Sequence, residues 1–346
     1  MHPILAAGLA ALLAAAAPEP PSVADDDAAA DRGAPQSIAS WTSGGPELNQ
    51  INAVSPDPND EGTVYASASL FAASQSALYG SVDGARTWTP LEEVPSGEFF
   101  AEVYADPRGG GRVFAGSQAS GFGTRFYRST DAGASWSVLM TIPDTCVPSF
   151  AAAAGGDGIV VSCGTRAFAS PDAGATWSEP PNPFTESTKV TSAPGGAVVA
   201  YGTSHFFRSP DGGMTWSPAG EAPAACPGML SLRVDAANAN TMLSGTGVLG
   251  AGGFQCGGVY RSADGGASWM ATGLSGVYVT DVRFGSAGTA YACASYIAGI
   301  LPLGGAWGSE DGGATWENLR LPTTGALKIA ASKTARHVYA ATPLGV

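Results

Sequence analysis

One eight-residue phrase, Ser-x-Asp-x-Gly-x-Ser/Thr-Trp, occurs six times, once with Ala for the Gly, at 81–88, 129–136, 170–177, 209–216, 262–269 and 309–316. A phrase that returns every 40–50 residues or so marks a repeat architecture. Each copy sits inside a longer unit. Strand-like runs of Val, Tyr, Phe, Ile and small residues lie at 63–69, 112–118, 158–164, 197–203, 241–247, 289–295 and 337–343. A turn rich in Pro, Asp, Gly or Asn precedes each run. Another apolar run precedes that turn, as at 51–54, 100–105 and 279–284. A third strand leads into the phrase and a fourth begins at its Trp. With these strands named a to d in order, the pattern predicts an all-β, seven-bladed β-propeller of four-stranded antiparallel blades.

Seven b runs stand against six phrases, because the last unit holds only a (327–332) and b before Val346. The segment at 41–46, Trp-Thr-Ser-Gly-Gly-Pro, reads like those that follow the phrases. The N-terminal strand is therefore expected to close the last blade and remove a free edge.

The 48 Gly, 25 Pro and 13% charged residues suit short strands joined by tight turns. Net charge is -13, and the 16 Lys and Arg are scattered, so no nucleic-acid partner is expected. Residues 4–17 form an Ala/Leu run ending in small residues, the pattern of an export signal. The run is too short to cross a bilayer as a helix. The division is then a signal peptide at 1–17, a disordered linker at 18–36 and the propeller at 37–346, in a secreted or periplasmic protein. Oxidising surroundings permit disulfides. Cys146 with Cys163 and Cys226 with Cys256 are plausible bridges, each within one blade, which leaves Cys293 as a buried thiol. Other connectivities stay open.

The phrase reads as the c–d turn. Its Ser and Asp bond nearby backbone N–H groups, its Gly allows φ > 0, and its Trp packs between blades. These six segments resemble Asp-boxes, or BNR repeats, of sialidase-like propellers, over nearly all the chain after about Ser37. The repeat also resembles those of photosystem II stability factors and sortilin-type receptors. The first copy has Ala85 in place of Gly, which is expected to strain or shift that turn.

No cofactor or metal is expected: only three His are present, and the Cys and His spacings do not fit a metal site. Asp57, Asn59, Glu61 and Gly62 match the start of a calcium loop, but Ala68 stands where Glu is required. No G-x-S-x-G segment exists. Family propellers place their sites on the face made by d–a and b–c loops. Long b–c loops at 69–77, 117–125, 246–258 and 294–306 offer Phe71, Phe122, Phe254 and Tyr296 as apolar surface. Arg125, Arg166 and His205 could orient a polar ligand. Glu102 and Asp281, at equivalent places in two a strands, are the candidate catalytic carboxylates of a glycoside hydrolase. A sialidase would need three converging arginines, and the a strands supply only Arg233 and Arg283. The usual Phe-Arg-Ile-Pro opening segment is also absent. The expectation is an exported, non-catalytic propeller binding a protein or glycan partner through its loop face. The alternative is a glycoside hydrolase of sialidase-like or xyloglucanase-like type.

Overall fold

Second strands of consecutive units, such as Ile159–Cys163, Val198–Tyr201 and Ala290–Ala294, are buried on both faces. Outer strands such as Ser137–Ile142 and Ser217–Glu221 are mostly exposed. That radial gradient arises when sheets stand side by side around an axis, so that each covers its neighbour. The computed structural model describes residues 9–16, 41–43, 45, 50–70, 75–91, 98–119, 123–153, 156–295, 304–323, 325–334 and 337–344. Among them, antiparallel strands form seven sheets in a β-propeller.

The innermost strands are Gln50–Pro56, Phe99–Ala105, Ser149–Ala152, Lys189–Ser192, Met229–Val234, Val279–Phe284 and Lys328–Ala331. The expectation of seven four-stranded blades is corrected: six sheets have four strands and the third has three. There Ser178 meets Ala169 through a single bridge, with both N–H···O bonds at 2.9 Å. Pro180, Pro181 and Pro183 follow, and proline has no N–H to extend a ladder. In the last sheet, His337–Leu344 pairs with Leu9–Ala16, which pairs with Trp41–Ser43. The described part of the expected signal run thus lies in a sheet.

Seven apolar clusters fill the gaps between neighbouring sheets. One of them joins the first sheet (Ile51, Val64, Ala66) to the last (Ala330, Tyr339, Ala341). Each gap also receives one half-buried indole from the later sheet. Trp88, Trp136, Trp177, Trp216, Trp269 and Trp316 fill six gaps in this way. Trp41 occupies the seventh, beside Tyr291, Ala306 and Ile329, and its Nε1 donates to the Leu319 carbonyl at 2.7 Å.

The repeated phrase aims these indoles. In all six copies the Ser hydroxyl accepts the backbone N–H four residues on, at 2.7–2.9 Å. The Asp carboxylate accepts the Ser or Thr hydroxyl four residues on, at 2.6–2.7 Å. The Gly has a second reason besides its positive φ: a Cβ on Gly313 would sit 2.6 Å from Leu243, and one on Gly266 2.3 Å from Phe206. Ala85 keeps the Ser81 bond and takes φ 67, so that turn is strained by about 1 kcal/mol but not shifted.

The Cα atoms of Cys146 and Cys163 are 5.3 Å apart and those of Cys226 and Cys256 5.8 Å, both at disulfide separation. Cys293 is a buried free thiol, pushed up to about 12 by its burial.

Two outcomes follow from this packing. Trp41→Ala destabilises the ring by about 3 kcal/mol and lowers the thermal midpoint as far as Trp316→Ala does; an unchanged midpoint would remove Trp41 from the set. The Thr87, Ser135 and Ser268 hydroxyls hold Asp83, Asp131 and Asp264 down to about 2. A carboxylate depressed in the folded state stabilises above its unfolded value, and that contribution is lost as pH falls through the folded one. The thermal midpoint accordingly drops between about pH 4 and about pH 2, and Asn at these three positions flattens the drop. An equally steep drop in the triple variant would contradict the assignment.

Candidate functional site

The loop-face candidates are held by local acids. Arg125, at the start of Gly123–Ser129, is ion-paired with buried Glu98, which also accepts the Ser117 hydroxyl. Arg166 opens Arg166–Ser170 and donates to Glu179 at 2.7 Å and to Asp144 at 3.1 Å. Its guanidinium also lies 4.8 Å from the Phe168 ring centroid. His205 opens His205–Ser209 with Nδ1 3.4 Å from Glu186, whose carboxylate accepts the Thr203, Ser204 and His205 backbone N–H groups. Phe254 is half-buried in Gly253–Ser262. Phe71, Phe122 and Tyr296 lie outside the described residues. Arg125, Arg166, His205 and Phe254 belong to the second, third, fourth and fifth sheets, and each basic residue among them has its own acid.

Charges converge instead on the innermost strands. Four of these strands carry a one-residue bulge at one height, between Ile51 and Ala53, Phe100 and Glu102, Met229 and Ser231, and Val279 and Asp281. A bulge re-aims the side chain that follows it. At that height Glu102 pairs with Gly116, Lys189 with Tyr201, Ser231 with Gly245, Asp281 with Cys293 and Lys328 with Ala341. Five sheets thus present Glu102, Lys189, Ser231, Asp281 and Lys328 at equivalent positions. Arg233 and Arg283 lie two residues further along their strands.

Asp281 is the hub, with its side chain 1% exposed. It accepts the Ser231 hydroxyl at 2.9 Å, Arg233 Nη2 at 3.1 Å, Arg283 Nε at 3.3 Å and the Ile329 N–H at 3.4 Å. Burial alone would raise this carboxyl. The charges of Arg283, Arg233 and Lys328 outweigh it and hold Asp281 well below the usual carboxylate range. Lys328 Nζ lies 3.7 Å from Glu102 Oε2, a contact that runs from the last sheet to the second across the first. Glu102 holds Lys328 above its ordinary value. Lys189 donates to the Leu230 carbonyl, inside a bulge, at 3.1 Å. Burial pushes Lys189 down. Burial would push the Tyr201 hydroxyl up, yet Arg233, Lys189 and Lys328 bring it below its ordinary value. Four basic side chains thus stand beside two carboxylates in the lumen.

Sequence reasoning placed Glu102 and Asp281 here but missed Lys189, Lys328 and Tyr201. It weighed Arg233 and Arg283 only as an incomplete arginine triad. The usable signal was a shared position relative to strand b, which the inserted bulge residues disguise.

Asp281→Asn leaves two guanidinium groups facing a neutral amide and destabilises the fold by about 3 kcal/mol or more. Glu102→Gln, at a longer and partly solvated pair, costs under about 1 kcal/mol. Urea denaturation checks both, and equal losses would contradict the ranking.

No protein-family model matches the chain, and no curated relative does. Solved structures do resemble it. YCF48 from Cyanidioschyzon merolae superposes with a TM-score of 0.59 at 14% identity, covering 84% of this chain and 95% of that one. YCF48 bound to D1 peptide gives 0.57 at 16% identity, with 84% and 92% covered. The GH74 xyloglucanase from Xanthomonas campestris gives 0.58 at 18% identity, with 78% and 47% covered. The Niastella koreensis GH74 enzyme gives 0.57 at 16% identity, with 77% and 46% covered. This chain spans about half the length of the GH74 proteins it matches. At these identities the likeness establishes the fold, a β-propeller shared by GH74 enzymes and YCF48.

Proposed function

We propose that this protein is an exported, non-catalytic β-propeller that binds a protein or glycan partner on the loop face around its lumen. The observation that carries the reading is the state of Asp281. A glycosidase acid must hold a proton and deliver it to the leaving oxygen. Its carboxylate partner must reach the sugar or a water with a free oxygen. Asp281 is buried and its acceptor sites are taken by Ser231, Arg233, Arg283 and Ile329, which suits neither task. Glu102 faces Lys328. The neighbour captured with a D1 peptide supports a protein partner. The two disulfides fit an extracellular or periplasmic setting. Among the described residues no helix is long and apolar enough to cross a membrane.

Under this reading the six phrases are Asp-boxes with a structural role, and the chain start latches the ring. Trp41 fills the gap between the sixth and last sheets, which supports the latch. The export signal, linker and propeller divide as 1–17, 18–36 and 37–346, so cleavage removes the Leu9–Ala16 strand and the latch rests on the Trp41 indole in the last gap. N-terminal sequencing of the exported protein begins near residue 18 on this reading; a start before residue 9 would contradict it.

A second reading, a glycoside hydrolase, draws on the two carboxylates at equivalent positions and on the GH74 likeness. One experiment separates the two. The purified protein is assayed on sialyl, xylosyl and glucosyl substrates, and in parallel its partner is captured with and without a shortened 246–258 segment, which the structure shows as an extended hairpin rather than a loop and which is shortened at its tip so that Cys256 is kept. The binding reading predicts no turnover and partner loss on shortening that segment. Turnover abolished by Glu102→Gln would overturn it.

A further inference from the structure

We propose that the last sheet of the exported protein holds a third-strand slot that takes an extended, apolar β-strand of a partner protein. The inference goes beyond the loop-face reading and rests only on its export division. Among the described residues, the other six sheets each take their strands from one continuous stretch of chain. The last sheet runs Trp41–Ser43, Leu9–Ala16, His337–Leu344, Lys328–Ala331, so its third strand lies within the segment that export removes. Along the slot, Leu9 to Ala16 stand opposite Leu344 to His337, residue for residue. The Leu327 N–H donates to the Ala341 carbonyl at 2.8 Å and the Ser332 N–H to the His337 carbonyl at 2.9 Å, so these odd-numbered residues face the innermost strand. Val338 and Ala340 therefore turn their N–H and C=O groups toward the slot. A strand edge uncovered in this way is a template for pairing with another chain.

Cleavage leaves both walls of the slot in place. The inner wall is His337–Leu344, whose Tyr339 and Ala341 pack into the gap toward the first sheet and whose Val338 and Ala340 pack into the gap toward the sixth. The outer wall is Trp41–Ser43, which pairs with Leu9–Ala16 and is pinned separately by the Trp41 Nε1 bond to the Leu319 carbonyl. With one strand missing, the walls stand about 9–10 Å apart centre to centre, which admits an extended chain but not a helix. The third strands of other sheets show what such a slot demands. Gly123–Ser129 is buried at five of seven positions, and Arg166–Ser170 and Gly305–Ser309 each at four of five. A donor strand is therefore apolar on both faces, free of proline, and antiparallel to His337–Leu344. The Leu-Ala-Ala-Leu-Leu-Ala-Ala-Ala sequence of 9–16 has that character. A glycan has no row of backbone N–H groups to continue the ladder, so the partner at this site is a protein.

The test uses the exported protein, the full chain 1–346, and a synthetic peptide of residues 9–16 flanked by lysines for solubility. By fluorescence anisotropy the peptide binds the exported protein with a Kd of about 10 μM or tighter, and it raises the thermal midpoint by mass action. The same peptide with Leu12→Pro and Leu13→Pro binds about tenfold more weakly or worse, because the prolines remove one donor from each edge. The full chain, whose own strand fills the slot, binds neither peptide. Hydrogen exchange locates the site: the Val338 and Ala340 amides exchange readily in the exported protein and slow by about tenfold or more with peptide bound. The proposal is overturned if the peptide does not bind at about 100 μM, ten times the expected Kd, or if the proline peptide binds equally well. It is equally overturned if those two amides are already protected without peptide, which would mean that the exported chain or a second copy fills the slot; sedimentation tells these two apart. Partner capture that depends on the 246–258 segment while the peptide fails leaves the loop-face reading standing and removes only the slot. Peptide binding without such capture does the reverse.

Discussion

One indole in each gap between sheets is the contact on which the ring depends. Trp269 donates to the Glu221 carbonyl of the preceding sheet at 3.0 Å, and Trp316 to the Thr272 hydroxyl at 3.0 Å. Trp41 donates to Leu319 in the same sense, although no complete phrase surrounds it. The Ser, Asp and Gly of the phrase serve this contact: they fix a turn whose last residue is the Trp, and the bare Gly lets a neighbouring side chain close over it. The carboxylates of these turns are engaged locally. Each Asp is occupied by its own turn.

Because the repeat fixes the gaps, the innermost strands are free to diverge. At one height the seven-sheet ring presents Ala53, Glu102, Lys189, Ser231, Asp281 and Lys328, residues with no common chemistry. Withdrawing such charges from water is expensive unless their geometry is fixed. A rigid ring supplies that geometry, and the bulges turn side chains toward one another. The result is a lumen with four basic side chains and two carboxylates inside a strongly acidic protein.

Much of the scaffold was legible in the sequence because it repeats. The strand runs follow from aligning units, and both cysteine pairs put forward as plausible lie at disulfide separation. The third sheet was misread because its phrase and Trp177 are intact, and Pro180, Pro181 and Pro183 just beyond carried less weight than the repeat. The site was much less legible. The loop face drew attention to Arg125, Arg166 and His205, which pair with Glu98, Glu179 and Glu186. Lys189 sits in a Ser- and Thr-rich stretch and Lys328 in a short apolar run, and both look like ordinary strand. Their convergence depends on register and bulges, which a single sequence does not encode as pattern.

Asp281, held by Ser231, Arg233, Arg283 and Ile329, is the group on which the ion-paired account of the lumen turns. Its side-chain carboxyl carbon, followed by NMR through a pH titration with Asp281→Asn as the assignment control, tests it directly. The account predicts a chemical shift that stays flat between about pH 4 and pH 7, because the carboxyl remains ionised below the usual range. A titration midpoint inside that interval would mean a proton available for transfer, and would contradict the account.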